Sequence, residues 1–239
     1  MKGVLCVLAF LVASSSAKLA LATPHCTGEC QRGDPFALMP KVAALKLAER
    51  AKCGDHCVVK TQSIRARIQC VNGFAGVFPC ENIDLMSFTS LQDLGSRPTA
   101  NGNDVWGWTD PLTGREYAIA LQEDGSSFVD MTNAEAPLVL GFLPSNLNRN
   151  VPWRDAKVFQ NFAFIVADAA GHGMQLFDLT QLRNLHLNYT GPRTFFPTGQ
   201  YNEFGNCHNI AIDEETGFLF CAGSSTCNGG PHMVDIRNP

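Results

Sequence analysis

The second half of the chain alternates short apolar runs with polar turns, and this pattern occurs three times. Each copy consists of a strand, a tight turn, a second strand, a polar loop and a third strand that ends in aspartate. These terminal aspartates are Asp130, Asp178 and Asp235. Alternating apolar residues with Gly, Asn or Asp turns are typical of antiparallel strands. The pattern predicts three β-meander units, with residues 138–143 as a fourth strand of the first unit and 194–198 as that of the second.

Units of about 50 residues with four strands have the size of a propeller blade. We therefore expect a mainly β protein, namely a partial β-propeller of about three four-stranded antiparallel repeats. An ordinary β-sandwich is the alternative. Propellers close with about four to eight blades, and the third copy reaches Pro239 where its fourth strand should begin. We therefore expect the completing blades to be missing from this sequence.

The N-terminal part has a different character from the repeats. Lys2, the apolar run 4–13 and the small residues Ala20 and Ala22 together predict a secretory signal peptide over residues 1–22. A small Cys-rich, partly helical region follows over 23–80, and the repeats occupy 81–239. The apolar run of the signal is too short to span a bilayer, which needs about 20 residues. We expect a secreted or cell-surface protein.

Cysteines are frequent, as expected for an exported chain. The sequence has 10, of which Cys6 lies in the predicted signal peptide. In an oxidising compartment the remaining cysteines usually pair. Two C-x-x-x-C pairs, Cys26/Cys30 and Cys53/Cys57, flank an amphipathic helix predicted over 41–52. Disulfides are favoured there over a zinc site that would include His56, because structural zinc usually has tighter C-x-x-C spacing.

The third copy carries three further cysteines. Cys207 begins a first strand and Cys227 lies in the loop before a third strand. In a meander both positions fall at the same end of the sheet, so we predict a Cys207–Cys227 disulfide. Cys221 lies within the second strand and is the candidate for an unpaired thiol, since buried cysteine often behaves as a small apolar residue. Asn188 begins an Asn-Tyr-Thr sequon, which predicts a glycosylated, exposed loop.

Charge and composition exclude some functions. The net charge is -4 and no Lys/Arg cluster is present, so a nucleic-acid partner is not expected. After the signal, no apolar stretch is long enough to span a membrane. The enzyme motifs G-x-S-x-G, H-E-x-x-H, the P-loop and G-x-G-x-x-G are absent. We therefore predict no cofactor, and an enzyme is less favoured than a binding protein.

Meander geometry predicts which polar residues lie together. Where a first strand starts, the second strand ends and the third one starts, so these positions share one end of each sheet. That end carries the candidate binding residues Asp104, Asp155, His172, His208, Asn209 and His232. In a propeller the first strands line the central channel, which would place the six near its mouth. The favoured alternative is structural, with each Asp capping backbone N–H groups and each His filling a loop.

Several separate motifs resemble one known family. They include Asn103-Asp104-Val105-Trp106-Gly107-Trp108, Gly171-His172-Gly173-Met174-Gln175-Leu176-Phe177-Asp178 and Gly229-Gly230-Pro231-His232-Met233-Val234-Asp235. In this order they resemble the choice-of-anchor B family, from about residue 78 to the end. The resemblance implies LVIVD-type, propeller-like repeats in an exported protein. It implies no established reaction.

These observations support three hypotheses for function. The leading one is an extracellular binding or interaction module for a protein or glycan ligand, in which Trp106, Trp108 and Trp153 either stack on the ligand or pack in the core. The alternative is a metal-dependent hydrolase that uses Asp104, Asp155 and His208, because Asp and His suit metal binding and acid–base chemistry. The third is a structural component of the cell surface.

Overall fold

The computed structural model describes residues 5–6 and 62–239. The chain divides into two compact units, one of Met1–Leu8 with Thr61–Pro239 and one of Ala9–Lys60. The second unit, with the predicted helix and both C-x-x-x-C pairs, lies outside the described residues. So does most of the predicted signal peptide.

The described part is mainly β, as the sequence predicts. Its strands are β1 (Leu5–Cys6), β2 (Phe74–Ala75), β3 (Phe78–Pro79), β4 (Gly102–Thr109), β5 (Glu116–Gln122), β6 (Gly125–Asp130), β7 (Leu138–Pro144), β8 (Arg154–Phe159), β9 (Phe162–Ala167), β10 (Met174–Asp178), β11 (Arg193–Thr194), β12 (Gly199–Tyr201), β13 (Asn209–Asp213), β14 (Phe218–Ala222) and β15 (His232–Asp235). Two short 3-10 helices cover Leu179–Leu182 and Cys227–Gly229.

Three sheets correspond to the three sequence copies. Sheet I has the order β11-β7-β6-β5-β4, sheet II has β12-β10-β9-β8, and sheet III has β1-β15-β14-β13. Within each sheet consecutive strands pair antiparallel, whereas β11 joins β7 in parallel. Among residues 5–6 and 62–239 no sheet closes on itself, and a propeller is not confirmed.

The fourth strands differ from the sequence prediction in sheets II and III. The segment 194–198 was predicted as the fourth strand of the second copy, and this is wrong. Arg193 and Thr194 pair instead with β7 of sheet I, while Gly199–Tyr201 completes sheet II. Pro197 lies between the two strands and has no N–H to donate, which favours a break there. In sheet III the fourth position is held by Leu5–Cys6, from the predicted signal segment.

The sheets stack with their first strands side by side. β8 contacts both β4 and β13. Between sheets I and II lies a core that includes Ile119, Phe128 and Phe177. The rings of Phe128 and Phe177 stack with centroids 4.2 Å apart. A second core between sheets II and III includes Phe164 and Leu219. Burial of these apolar faces holds the first strands together and so positions the polar residues on them.

The terminal aspartates of the three copies close turns through their side chains. Each carboxylate accepts a hydrogen bond from the backbone N–H two residues later, at 3.1 Å for Asp130, 2.9 Å for Asp178 and 3.1 Å for Asp235. This is the Asx-turn geometry in which Asp side chains end strands. The recurrence of Asp in all three copies therefore has a structural cause.

Candidate functional site

Asp155 lies at the centre of a polar cluster on the three first strands. Its carboxylate is buried and accepts hydrogen bonds from the Ile210 N–H (2.8 Å) and the Asn209 side-chain amide (3.3 Å) of β13. Lys157 Nζ lies 2.6 Å from the other carboxylate oxygen. Burial alone would raise the pKa of Asp155, but the hydrogen bonds from Lys157 and Ile210 outweigh it and lower that pKa. Asp155 therefore remains an anion that ties β8 to β13.

Asp104 on β4 adds a second carboxyl group beside Asp155. Partial desolvation and the neighbouring carboxylate of Asp155 raise the pKa of Asp104 above its ordinary value. One residue earlier in β4, the side chain of Asn103 also joins sheet I to the chain at the start of β8. There the Arg154 N–H donates to Asn103 Oδ1 at 3.3 Å, and the Asn103 amide donates to the Pro152 carbonyl at 2.7 Å.

Trp106 provides an aromatic surface next to the two carboxyl groups. Lys157 Nζ lies 4.2 Å from the centroid of the Trp106 ring, in cation–π geometry. The tryptophan remains 41% exposed. Asp104, Trp106, Asp155, Lys157 and Asn209 thus form one cluster, here called the inner-wall site. It offers an aromatic face, a carboxyl group, an ammonium and an amide within a small area.

His208 pairs with a different carboxylate. Its Nδ1 lies 2.9 Å from Asp168 Oδ2, and its side chain is 46% exposed. Asn206 donates its amide to the other oxygen of Asp168 at 3.0 Å. Both Asp168 and Asn206 are buried. Their hydrogen bonds fix the position of the Asp168 carboxylate, which in turn orients the imidazole ring of His208. The structure therefore brings Asp104, Asp155 and Asn209 together and pairs His208 with Asp168.

His172 is buried between sheets I and II. Its Nδ1 lies 3.0 Å from the Gly173 carbonyl, and its Nε2 lies 3.3 Å from Arg154 Nη1. Burial and the adjacent Arg154 guanidinium lower the pKa of His172 to about 4, so the ring is neutral near pH 7. Burial also lowers the pKa of Arg154 to about 10. The neutral imidazole serves as a packing and hydrogen-bonding partner for the buried guanidinium.

His232 is equally buried, in the second core. Its Nε2 lies 2.9 Å from the Tyr201 hydroxyl and its Nδ1 lies 2.7 Å from the Thr226 hydroxyl. The ring also packs edge-on against Tyr201 and Phe204. Both ring nitrogens of His172 and of His232 are therefore engaged away from solvent. Neither histidine belongs to the inner-wall site.

The predicted Cys207–Cys227 disulfide is wrong. Cys207 bonds to Cys221, with Cα atoms 5.8 Å apart, and Cys227 is disulfide-bonded elsewhere. Cys221 lies in β14, which pairs with β13, and Cys207 lies two residues before β13, so the bond joins the two arms of this hairpin. Cys221 is consequently not the unpaired thiol that the sequence suggested. A further disulfide joins Cys70 and Cys80.

The predicted glycosylation sequon lies on the surface of the protein. Asn188 is exposed in the irregular segment between the 3-10 helix Leu179–Leu182 and β11, as the sequon predicts. Within the described residues, no three His, Cys, Asp or Glu side chains are grouped so that they could hold a metal ion. In the same part of the chain, no helix has the length and apolar character needed to cross a membrane.

Sequence reasoning missed two members of this polar surface. Lys157 follows Asp155 by two residues on the same strand, and alternation alone places both on one face. That signal was available in the sequence. Asp168, the partner of His208, lies in a loop 40 residues earlier. No local pattern connects those two residues.

Comparisons with family models, with curated proteins and with solved structures give no match to this chain.

Proposed function

We propose that this chain is a secreted or cell-surface binding module that takes a protein or glycan ligand at the inner-wall site. The observation that supports this proposal most strongly is that Asp104, Lys157 and Asn209 belong to the same cluster as the exposed ring of Trp106. These residues come from three different sheets, so the site exists only in the folded chain. All four side chains carry a hydrogen-bonding group and remain at least partly exposed.

The chemistry of the site suits a ligand with mixed polarity. An exposed indole ring stacks against the apolar face of a sugar or against a peptide side chain, and contributes about 1 kcal/mol beyond the buried area. The Asp104 carboxyl group and the Asn209 amide each lie beside Asp155, and groups of these kinds form hydrogen bonds with the hydroxyl or amide groups of a ligand. Few polar groups placed around an apolar surface are typical of small binding sites.

The fold that we propose around this site is part of a β-propeller of the choice-of-anchor B, LVIVD-repeat kind. Three stacked antiparallel sheets with adjacent first strands support this, because first strands line the channel in a propeller. Export is supported by the Cys70–Cys80 and Cys207–Cys221 disulfides, which persist in oxidising compartments. The exposed Asn188 sequon is compatible with glycosylation in such a compartment.

The geometry does not favour a metal-dependent hydrolase. It requires Asp104, Asp155 and His208 to act together, whereas His208 is held by Asp168. Asp155 has its carboxylate oxygens occupied by Lys157 and by the Ile210 N–H.

Screening on glycan and peptide arrays, followed by calorimetry on the hits, tests the proposal. We expect Trp106→Ala and Asn209→Ala each to weaken binding of a hit by about tenfold or more, which corresponds to 1.4 kcal/mol. Glu214→Ala is the matched control, since Glu214 is exposed just beyond the opposite end of β13. Equal affinity for all three variants and the unmodified chain would refute the site.

A further inference from the structure

The inner-wall site already holds an ammonium group of its own chain. Lys157 Nζ lies 4.2 Å from the centroid of the Trp106 ring and 2.6 Å from Asp155 Oδ1. It also donates a hydrogen bond to the Ala156 carbonyl at 3.1 Å. Aromatic rings and carboxylates are the side-chain groups that attract an ammonium most strongly. The surroundings of Trp106 are therefore chemically suited to a cation.

The charges of the inner-wall site do not cancel. It contains the carboxyl groups of Asp104 and Asp155 but only the one ammonium of Lys157. Lys157 is paired with Asp155, which also accepts hydrogen bonds from Asn209 and from the Ile210 N–H. Among residues 5–6 and 62–239, no Lys, Arg or His side chain forms an ion pair with Asp104. One carboxyl group of the site is thus without a cationic partner.

This carboxyl group is accessible and gains from a cation. Asp104 is exposed on β4, two residues before Trp106 and on the same face of the strand. Partial desolvation and the neighbouring carboxylate of Asp155 raise the pKa of Asp104. A cation next to Asp104 would stabilise its ionised form and offset the repulsion from Asp155. A cationic ligand therefore gains an interaction here that a neutral ligand lacks.

Trp106 keeps ring surface available for a ligand. It is 41% exposed, although Lys157 lies over the ring. Trp108, two residues later on the same face, is only 6% exposed and stacks on Tyr117 with centroids 5.2 Å apart. Of these two tryptophans, Trp106 is the one that a ligand can reach. An indole ring binds an alkyl stem by apolar contact as well as attracting an ammonium.

We propose that the inner-wall site binds a lysine side chain of a protein partner, with the ammonium next to Asp104 and the alkyl stem on Trp106. This inference rests on the proposed function and narrows its ligand. Lys157 shows within this chain how a lysine meets the ring and a carboxylate at once. The incoming ammonium competes with Lys157 for the same ring and the same negative charge. Lys157 is therefore an internal competitor of the ligand.

Charge favours this ligand over an acidic one and over a neutral glycan. The chain carries a net charge of -4, which attracts a basic partner at long range. An acidic sugar or peptide would bring a third negative group next to Asp104 and Asp155. A neutral glycan would leave Asp104 without a cation. The lysine side chain is the ligand that balances the charge of the site.

An NMR titration of the full chain with a blocked tripeptide that has a central lysine tests the proposal. The matched probe is the same tripeptide with its lysine acetylated, which keeps the stem and removes the charge. We expect the lysine tripeptide to shift the Trp106 indole signal, and the acetylated form to bind about fivefold more weakly or less. Equal binding of the two tripeptides would overturn the proposal.

Two substitutions with opposite effects make the test independent of misfolding. Asp104→Asn should weaken binding of the lysine tripeptide by about fivefold, whereas Lys157→Met removes the competitor and should strengthen it by about threefold. Misfolding cannot produce that gain. Glu214→Gln is the matched control for the first, because it removes the same charge at an exposed position just beyond the opposite end of β13. Lys157→Arg is the control for the second, because it keeps the positive charge.

We expect both controls to bind like the unmodified chain. Unchanged binding in Asp104→Asn, or weaker binding in Lys157→Met, would overturn the proposal. Glucosamine and N-acetylglucosamine form a second arm, in which a response to glucosamine without one to the lysine tripeptide would contradict a protein partner. Array ligands that need Trp106 but bind Asp104→Asn normally would refute only the ammonium ligand. Array ligands that bind regardless of Trp106 would refute the proposed function itself.

Discussion

The Asp155 carboxylate accepts a hydrogen bond from the Ile210 N–H and forms an ion pair with Lys157. Its removal should destabilise the fold, and two different substitutions separate these two contributions. In Asp155→Ala the buried Ile210 N–H loses its acceptor, which costs about 1–3 kcal/mol. The ion pair with Lys157 is partly exposed and adds up to about 1 kcal/mol. We therefore expect a loss of about 1–4 kcal/mol in the free energy of unfolding. Asp155→Asn keeps a carbonyl oxygen for Ile210 and should lose only about 1 kcal/mol.

Urea unfolding followed by circular dichroism measures both variants against the unmodified chain. The midpoint should fall further for Asp155→Ala than for Asp155→Asn, while the slope of free energy against urea stays the same. A loss below about 1 kcal/mol for Asp155→Ala would refute the reasoning. Equal losses for the two variants would show that the acceptor for Ile210 is not what stabilises the junction of β8 and β13.

Three further predictions concern pH and the third sheet. Because the pKa of His172 is lowered to about 4, the contribution of its neutral ring to the free energy of unfolding is fully present above pH 6.5. This contribution falls by about 3 kcal/mol as the pH is lowered to 4. Urea titrations at several pH values should therefore show a free energy of unfolding that depends less on pH for His172→Gln than for the unmodified chain. The raised pKa of Asp104 makes stability fall as pH rises through that pKa, so melting temperatures of Asp104→Asn should lack this loss, and an unchanged profile would contradict it. The Cys207–Cys221 disulfide spans 14 residues, and replacing both cysteines by alanine should cost about 3 kcal/mol; a calorimetric loss below about 1 kcal/mol would contradict that figure.

The repeat could be read from the sequence because local patterns specify it. Alternation of apolar residues determined the strands, and each terminal Asp marked a turn that its own carboxylate closes. The same alternation predicts that Asp104 and Asp155 occupy equivalent places on first strands. Their proximity follows once the sheets stack, since β4 and β8 are neighbours.

Features that depend on contacts across the sheets could not be derived in this way. His172 lies in a loop and His232 directly follows one at the start of β15, positions that are often exposed, yet both rings are buried. Which cysteine bonds to Cys207 depends on the folded hairpin of β13 and β14, in which the partner is Cys221 and not the loop residue Cys227. The pairing of His208 with Asp168 joins residues of different loops, for which the sequence holds no local signal.

The most direct test of the central claim is NMR chemical-shift mapping with a ligand that the arrays identify. We predict that the ligand shifts the indole signal of Trp106 and backbone amides of β4, β8 and β13 together, because the inner-wall site draws on all three sheets. Perturbations confined to the disulfide-closed segment 70–80 or to the far ends of these strands would contradict the claim. Arrays that yield no ligand at all would contradict it as well.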